Sequence, residues 1–553
     1  MSDMIKVTLK GPKSIDAKDV EKGTTVLEVL GGGKKPGDPL VAVVNGEVTE
    51  LKVKLEQDST IVPLNIMNRI AYAAYARSLN YLFILAVKEA LNCVEVVVDH
   101  AINNEIYGEF KCNREINEED VEKIKSKMKE MIKEDSPIDK VKVTKAEAVK
   151  IFESYGMDDK LRLLKYAPEG MISLYKCRGV YDYFYGAMLP SLGYLDVFDL
   201  KYMPGGFLIM LPEKKEIDKV PEFKQLPKLR AVYKETKEWA KILDIFNVGS
   251  INDKIASGDI KDVILVGEGL HEKKISRIAD YIYENKEKQK IVLIAGPSSS
   301  GKTTFSKRLS IQLKVLGLKP YNISADDYFV GRDQTPVDEN GEFDFEAIEA
   351  VDVELLNKDL LEILDGREVE LPRFNFLTGE REYRGDKYKM EDESIIIIEG
   401  IHSLNEKMTH SVPKENKYKI YVSALTQLNL DNHNSLYVSD VRTLRRIIRD
   451  NRSRGSDAEN TLLTWPSVRA GEEKNIFPYQ EEADTMFNST IVYEVSVLKK
   501  YAEPLLQAIP VESPAYTEAS RMLKLLRFFQ VLDEKLIPDN SIIREFIGGS
   551  CFE

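Results

Sequence analysis

The sequence predicts a multidomain α/β protein in which a phosphate-binding domain on a parallel sheet follows a small β-rich module and an α+β domain. Three observations predict it. The chain has 553 residues, several times the ~150 that one core ordinarily organises. An apolar run, Ile291–Ala295, leads straight into Gly296-Pro297-Ser298-Ser299-Ser300-Gly301-Lys302-Thr303-Thr304, a strand handing over to a G-x-x-x-x-G-K-T loop and a helix. A second run, Ile395–Ile398, is closed by Glu399 and has the unbroken β-branched character of a strand buried on both faces.

Composition narrows the function classes. Hydrophobic content of 43% and charged content of 31% fit a soluble globular protein, and the net charge of −13 argues against broad attraction to nucleic acid or anionic membranes. Four cysteines, Cys93, Cys112, Cys177 and Cys551, are scattered without paired spacing, which suits a reducing cytoplasm. The N-terminus lacks a signal-peptide core, and no apolar run reads as long enough to span a bilayer. A cytoplasmic protein without membrane association is expected.

Residues 1–65 form the first module. Ile5–Leu9 alternates as a strand, Val26–Leu30 is a short helix ended by Gly31–Gly33, Val41–Val44 is a strand before an Asn45-Gly46 turn, and Ile61–Leu64 is the last strand. Residues 66–213 are α+β, with a long helix at Ile70–Asn92, a strand at Val94–Val98 and a charged helix at Asn117–Lys133. Residues 214–288 read as a charged helical linker whose Lys-rich end is a solvated face. The phosphate-binding domain spans 289–500, and a C-terminal helical segment spans 501–553.

The loop Gly296–Thr304 has the residue types a triphosphate needs. Gly296 and Gly301 let backbone N–H groups turn inward around an anion, and the helix beginning at Lys302 directs its positive end there. Lys302 supplies a cation to the outer phosphates and Thr303 a hydroxyl to Mg²⁺. The strand-like Pro320–Ser324 ends in Asp326-Asp327-Tyr328-Phe329. A carboxylate at that strand end can take a proton from an attacking hydroxyl or hold Mg²⁺, and Glu399 completes the metal site. Arg442, Arg445, Arg446 and Arg449 recur at helical spacing, with Arg452 and Arg454 beyond, and read as a lid that closes guanidinium groups over phosphates.

Taken in order, Gly296–Thr303, Ser324-Ala-Asp326-Asp-Tyr-Phe329, Ile398-Glu-Gly400 and Arg442-x-x-Arg-Arg-x-x-Arg-Asp450-x-x-x-Arg-Gly455 resemble the uridine kinase branch of the phosphoribulokinase/uridine kinase family over about 289–490. Phe343-Asp344 is similar to the family's sugar-binding pair, and Arg373-Phe374-Asn375-Phe376-Leu-Thr-Gly379-Glu-Arg381 to its base-binding segment. The resemblance implies ATP- and Mg²⁺-dependent phosphorylation of a nucleoside 5′-hydroxyl, uridine- or cytidine-like. Lys302, Asp326, Arg446 and Arg449 would be catalytic, Asp326 being the base. Gly296 to Thr304 and Arg454 would hold the nucleotide, and Thr303, Asp326 and Glu399 would surround Mg²⁺. Asp326, Tyr328, Phe343, Asp344, Phe374, Phe376, Arg381 and Arg442 would meet the acceptor. The tyrosine and histidine with which the family reads a pyrimidine are here Phe374 and Gly379, so base preference is open. Thr464–Lys474 is unlike the short uridine kinases and reads either as a surface loop or as a rebuilt part of the pocket. Another small-molecule kinase of the superfamily, acting on a sugar phosphate or pantothenate-like alcohol, is the alternative. A GTPase is disfavoured, because no Asn-Lys-x-Asp motif follows.

The order of elements in 1–65 resembles a TGS module. Ala86-Val87, Asp182–Pro190 and Phe198–Gly206 resemble the editing-type domain of threonyl-tRNA synthetases. That domain's histidine and cysteine metal-ligand positions are here Tyr81, Leu85, Phe184 and Met188, none of which supplies the donors zinc needs. His100, the only histidine in this half, reads as structural. The half is expected to have lost editing chemistry. RNA binding, association with a further copy of the chain and regulation of the kinase stay open for it, and an RNA-binding regulatory protein with little turnover is the other alternative function.

Overall fold

The computed structural model describes the chain except residues 1–2, 12–14, 36, 92–94, 103, 215, 338–340, 342, 376–377 and 427. The first module is a five-stranded sheet in the order Ile15–Glu21, Met4–Lys10, Ser59–Leu64, Val41–Val44, Glu47–Glu50, whose central pair is parallel. The helix Val26–Leu30 opens on a Thr25/Glu28 capping box and stops at left-handed Gly31. The strand Ile15–Glu21 was not foreseen. It is an exposed edge with no buried alternate face, so it carries no period-two signal.

In the second domain the helix Arg69–Leu91 is buried along most of its length, with Leu79, Tyr81, Leu82 and Phe83 sealed from solvent. Against the expectation that no apolar run is long enough, by length and composition alone it could cross a membrane, but 67% of its apolar window is buried inside the protein as a core helix. It packs on Glu118–Glu134, and a four-stranded and a three-stranded sheet complete the domain.

The expected linker is three helices, Pro227–Leu243, Val248–Ser257 and Ile260–Glu284. It is not a linker. Ile260, Ile264, Ile275, Ile278 and Ile282 share one core with Val292, Ile294 and Phe305. The charged residues that dominate the composition occupy the other face. The C-terminal boundary also moves, because the helix Glu494–Gln507 runs through residue 500 and buries Val497, Leu498, Ala502 and Leu506 in that same core.

The sheet that positions the site has five parallel strands in the order Lys319–Ser324, Ser394–Glu399, Ile291–Ala295, Lys417–Ser423, Thr485–Asn488. Four isoleucines in a row suit the second of these because helices cover both faces of the sheet. The register pairs Glu399 with Ser324 on one side and with Ile294 on the other, so the ends of three strands deliver Asp326, Glu399 and the Gly296 loop to one edge.

Candidate phosphoryl-transfer site

The loop's conformation follows from its residues. A side chain at Gly296 would strike the Val422 carbonyl. Ser299 (φ 58°) and Gly301 (φ 84°) take the left-handed conformation that turns backbone N–H groups inward. The hydroxyls of Ser299 and Ser300 are buried without a hydrogen-bond partner among the described residues, a cradle fitted for an anion's oxygens. Lys302 Nζ donates to the carbonyls of Gly296 (2.9 Å) and Pro297 (3.3 Å), spanning the loop.

Beside the loop, Thr303 Oγ1 lies 3.3 Å from Glu399 Oε1. Burial pushes the Glu399 carboxyl up to about 7 against the pull of Lys302, with Asp326 and Glu545 adding to the rise. Burial likewise raises Asp326, opposed by Lys302, Arg454 and Arg449. The three side chains offer only hydroxyl and carboxylate oxygens, the hard donors that Mg²⁺ takes. Among the described residues no group of three or more acidic, histidine or cysteine side chains is placed to hold a metal ion by itself, so these donors are two carboxylates and a hydroxyl. Such an open donor set suits Mg²⁺, which keeps waters and phosphate oxygens as its remaining ligands.

The arginine helix, Val438–Ser453, departs from the expected lid. Val441, Leu444, Ile447 and Ile448 lie between the arginines and belong to the main core, so the helix is part of the fixed body. Arg442, expected at the acceptor, is buried and pairs with Glu472, while its Nε donates to the Ser298 carbonyl at 3.0 Å. Arg445 is buried against Glu494 and reaches the Ser299 carbonyl at 3.3 Å. Both brace the phosphate loop from behind. Arg446 donates to Ser298 Oγ at 2.9 Å, and Asp450 gathers Arg446 (3.2 Å), Arg449 (2.8 Å) and Arg454 (3.7 Å) beside the loop.

On the acceptor side, Tyr328 is also corrected. It is buried, with its hydroxyl 3.1 Å from Asp359, and it serves the core beneath the site. Phe343 is half-exposed, and Asp344 Oδ1 accepts the Glu346 N–H at 3.1 Å. Phe374 stands edge-on to Phe329, and Arg381 pairs with Asp352 at 2.9 Å. Phe376 lies outside the described residues. Asp327, passed over beside Asp326, ties down the hairpin Val369–Asn375/Glu380–Tyr388 by accepting from Arg373 (2.9 Å) and the Phe374 N–H (3.2 Å). Thr464–Lys474 is no loop but part of the helix Ala458–Asn475, which contains Pro466. Sequence reasoning also missed two acids on the loop's N–H groups: Glu472 accepts from Ser298 and Glu545 from Thr304, each at 3.0 Å. Nothing in the local sequence of either acid marks it, since each reaches the loop only through the tertiary fold.

In the synthetase-like half, Tyr81, Leu85, Phe184 and Met188 are buried, and the Tyr81 and Phe184 rings pack at 5.1 Å. His100 stacks on Tyr233 at 3.6 Å, and burial pushes its imidazole down to about 3, so it stays neutral inside the core. Cys93 lies outside the described residues. A cavity of about 1700 Å³ lies between this half and the sheet domain, bordered by Arg77, Tyr185, Arg469 and Arg521. It does not contain the Thr303/Asp326/Glu399 group.

Residues 291–496 match the model of the Phosphoribulokinase / Uridine kinase family. The N-terminal region matches threonine–tRNA ligases. That of Acetivibrio thermocellus is 31% identical over 208 residues, 37% of this chain and 32% of that protein. Threonine–tRNA ligase 1 of Bacillus subtilis is 29% identical over 211 residues, 37% of this chain and 32% of that protein. The chain spans about a third of the length of these curated relatives. Among solved structures, a possible uridine kinase from Bacillus stearothermophilus is 20% identical with a TM-score of 0.25, covering 38% of this chain and 97% of that one. D-glycerate 3-kinase from Cryptococcus neoformans is 12% identical with a TM-score of 0.21, covering 49% and 88%. Residues 291–496 therefore carry the kinase fold of the phosphoribulokinase/uridine kinase family, joined to an N-terminal region homologous to threonine–tRNA ligases.

Proposed function

We propose that the protein is an ATP- and Mg²⁺-dependent kinase that phosphorylates the 5′-hydroxyl of a nucleoside. The observation that carries this reading is the meeting of Thr303, Asp326 and Glu399 beside the Lys302 loop, at the edge where three parallel strands end. Asp326 orients the acceptor hydroxyl and takes its proton. Its raised affinity for protons suits a base better than an ordinary exposed carboxylate would. Lys302 leaves its loop carbonyls for the phosphate oxygens, while Arg446 and Arg449, held beside the loop by Asp450, neutralise charge on the transferring group. Thr303, Asp326 and Glu399 would hold Mg²⁺, which supplies charge neutralisation on the phosphates.

Phe374 and Gly379 cannot hydrogen-bond a base edge through their side chains, so selectivity among bases should be weak. An ADP-release screen with ATP against ribonucleosides, sugar phosphates and simple polyols tests the reading. Turnover of nucleosides at catalytic rates supports it, and turnover of another alcohol alone replaces the acceptor class.

RNA binding by residues 1–213 is a second reading, favoured by the similarity to threonine–tRNA ligases over about 200 residues. Filter binding with tRNA tests it independently of turnover.

A further inference from the structure

One acid on the acceptor side of the cleft has no part in the chemistry described so far. Glu346 follows Phe343 and Asp344, and its Oε2 is buried without a hydrogen-bond partner among the described residues. Its charged neighbours are Glu472, Arg446, Lys302 and Asp326, the groups of the phosphate loop and the arginine helix.

Its position is built by the helix Ala458–Asn475, the segment whose sequence is unlike the short uridine kinases. Asn475 Nδ2 donates to the Glu346 carbonyl at 2.7 Å. Gly471 leaves room for the Glu346 side chain, because a Cβ there would stand 2.5 Å from Glu346 Cβ. His402 lies beside the backbone of Ala347 and Glu346. A buried polar atom with no partner is unfavourable unless a ligand completes it. The base-reading positions Phe374 and Gly379 offer no side-chain polar atom, so recognition has to come from another part of the acceptor.

We propose that Glu346 hydrogen-bonds a second hydroxyl of the acceptor, so that the enzyme selects a vicinal diol, as in a ribose or a polyol, and not the edge of a base. The proposal rests on the kinase reading above but not on the acceptor being a nucleoside. Burial and the neighbouring Glu472 hold the Glu346 carboxyl up to about 7, which lets it both give and accept a hydrogen bond near neutral pH.

The test uses the full chain. ADP release is measured with ribonucleosides, their 2′- and 3′-deoxy analogues and linear polyols, for wild type, Glu346→Gln and Glu346→Ala. Nucleotide affinity is followed separately with a fluorescent ADP analogue. Wild type should prefer a diol over its deoxy analogue by about tenfold or more in kcat/KM, because a site built to bond a hydroxyl rejects its absence. Glu346→Ala should abolish that preference chiefly through KM and leave ADP affinity unchanged, and Glu346→Gln should keep part of it. Gly471→Ala, which crowds Glu346 without removing it, should also reduce the preference. An unchanged diol preference in Glu346→Ala, or equal losses of ADP and acceptor affinity, overturns the proposal. Turnover of polyols but not nucleosides removes the nucleoside reading while the same ratio still judges Glu346. No turnover of any alcohol by wild type that binds ADP removes the kinase reading and this proposal together.

Discussion

Lys302 Nζ donates to two carbonyls of its own loop, Gly296 and Pro297, so the cation is stored within reach of the phosphates it is proposed to bind. Lys302→Ala and Asp326→Asn should each lower kcat by ~10²-fold or more, the scale of a lost general base or phosphate cation. Losses below about tenfold in both would remove the assignment. Arg446 and Arg449 are distinguishable from Arg442 by their surroundings. Arg446→Ala and Arg449→Ala should lower kcat with acceptor KM little changed, as expected of groups that act on transition-state charge. Arg442→Ala should instead destabilise the fold by ~1.5–3 kcal/mol, since buried Glu472 loses its bidentate partner and keeps only Arg469 and the Ser298 N–H; a thermal melt separates the two outcomes. At this scale the sequence placed residues where spacing alone fixes them: Gly296–Thr304 and the strand-end acids Asp326 and Glu399 do meet at one edge of the sheet. It misassigned Arg442 and Tyr328, because whether an arginine or tyrosine faces a ligand depends on partners such as Glu472 and Asp359, which lie about 30 residues away in the chain.

Elements with a strong period were legible and those with a compromised one were not. The isoleucine run and the capped helix Val26–Leu30 could be read directly, the latter because Thr25, Glu28 and Gly31 mark both of its ends. The helices between residues 227 and 284 read as a linker because their charge masks an apolar stripe. The helix Ala458–Asn475 was hidden by Pro466, whose missing N–H argues for a break that the surrounding packing overrides. The C-terminal segment gave no hint that it reaches the phosphate loop. Ile542 packs against Gly301, Glu545 takes the Thr304 N–H, and Arg452 donates to the Glu545 carbonyl. Thr304 N–H belongs to the helix N-terminus that phosphates seek, so the Glu545 carboxylate competes with the nucleotide there. Glu545→Ala should tighten ADP binding by about fivefold, the equivalent of ~1 kcal/mol for one charge at a helix N-terminus. Titration with a fluorescent ADP analogue measures it, and weaker binding would show instead that Glu545 supports the nucleotide site.

At the scale of the whole molecule, the two homologous regions are fastened together by a loop of the kinase region, beside the contact of Arg69 with Ser439 and Asp440 on the arginine helix. Val98 N–H donates to the Asn432 carbonyl (2.8 Å), and Tyr185 N–H donates to Asn434 Oδ1 (2.9 Å). Lys160 Nζ lies 3.0 Å from both Asp182 and Asp431, and His433 Nδ1 is 2.7 Å from Asp182. All four side chains are buried. Asp182 belongs to the synthetase-like motif, yet in this fold it pairs with the kinase half, while Tyr81, Leu85, Phe184 and Met188 fill the space beside it. The purified protein should therefore carry no stoichiometric zinc by elemental analysis and should not deacylate mischarged tRNA; one zinc per chain would reverse that expectation. The network also makes a prediction about pH. Two aspartates are balanced by Lys160 only if His433 is protonated. Burial, the largest influence, and Lys160 lower the His433 pKa, but the charge and hydrogen bond of Asp182 together with the charge of Asp431 outweigh them and the net shift is upward. A folded-state value above the unfolded ~6.5 means that the proton's stabilisation is fully present below that value and is lost as pH rises through the folded one. Melting temperature should therefore fall as the pH rises above the unfolded value of ~6.5, and the fall should flatten in His433→Asn, which is also less stable at the acid end. Lys160→Met should destabilise the protein throughout that rise in pH by ~3–5 kcal/mol, since it leaves two buried carboxylates facing a single imidazole. A wild-type melting temperature that holds level or increases over the same rise in pH would mean that the junction does not depend on the His433 proton, and that Lys160 alone balances the aspartates.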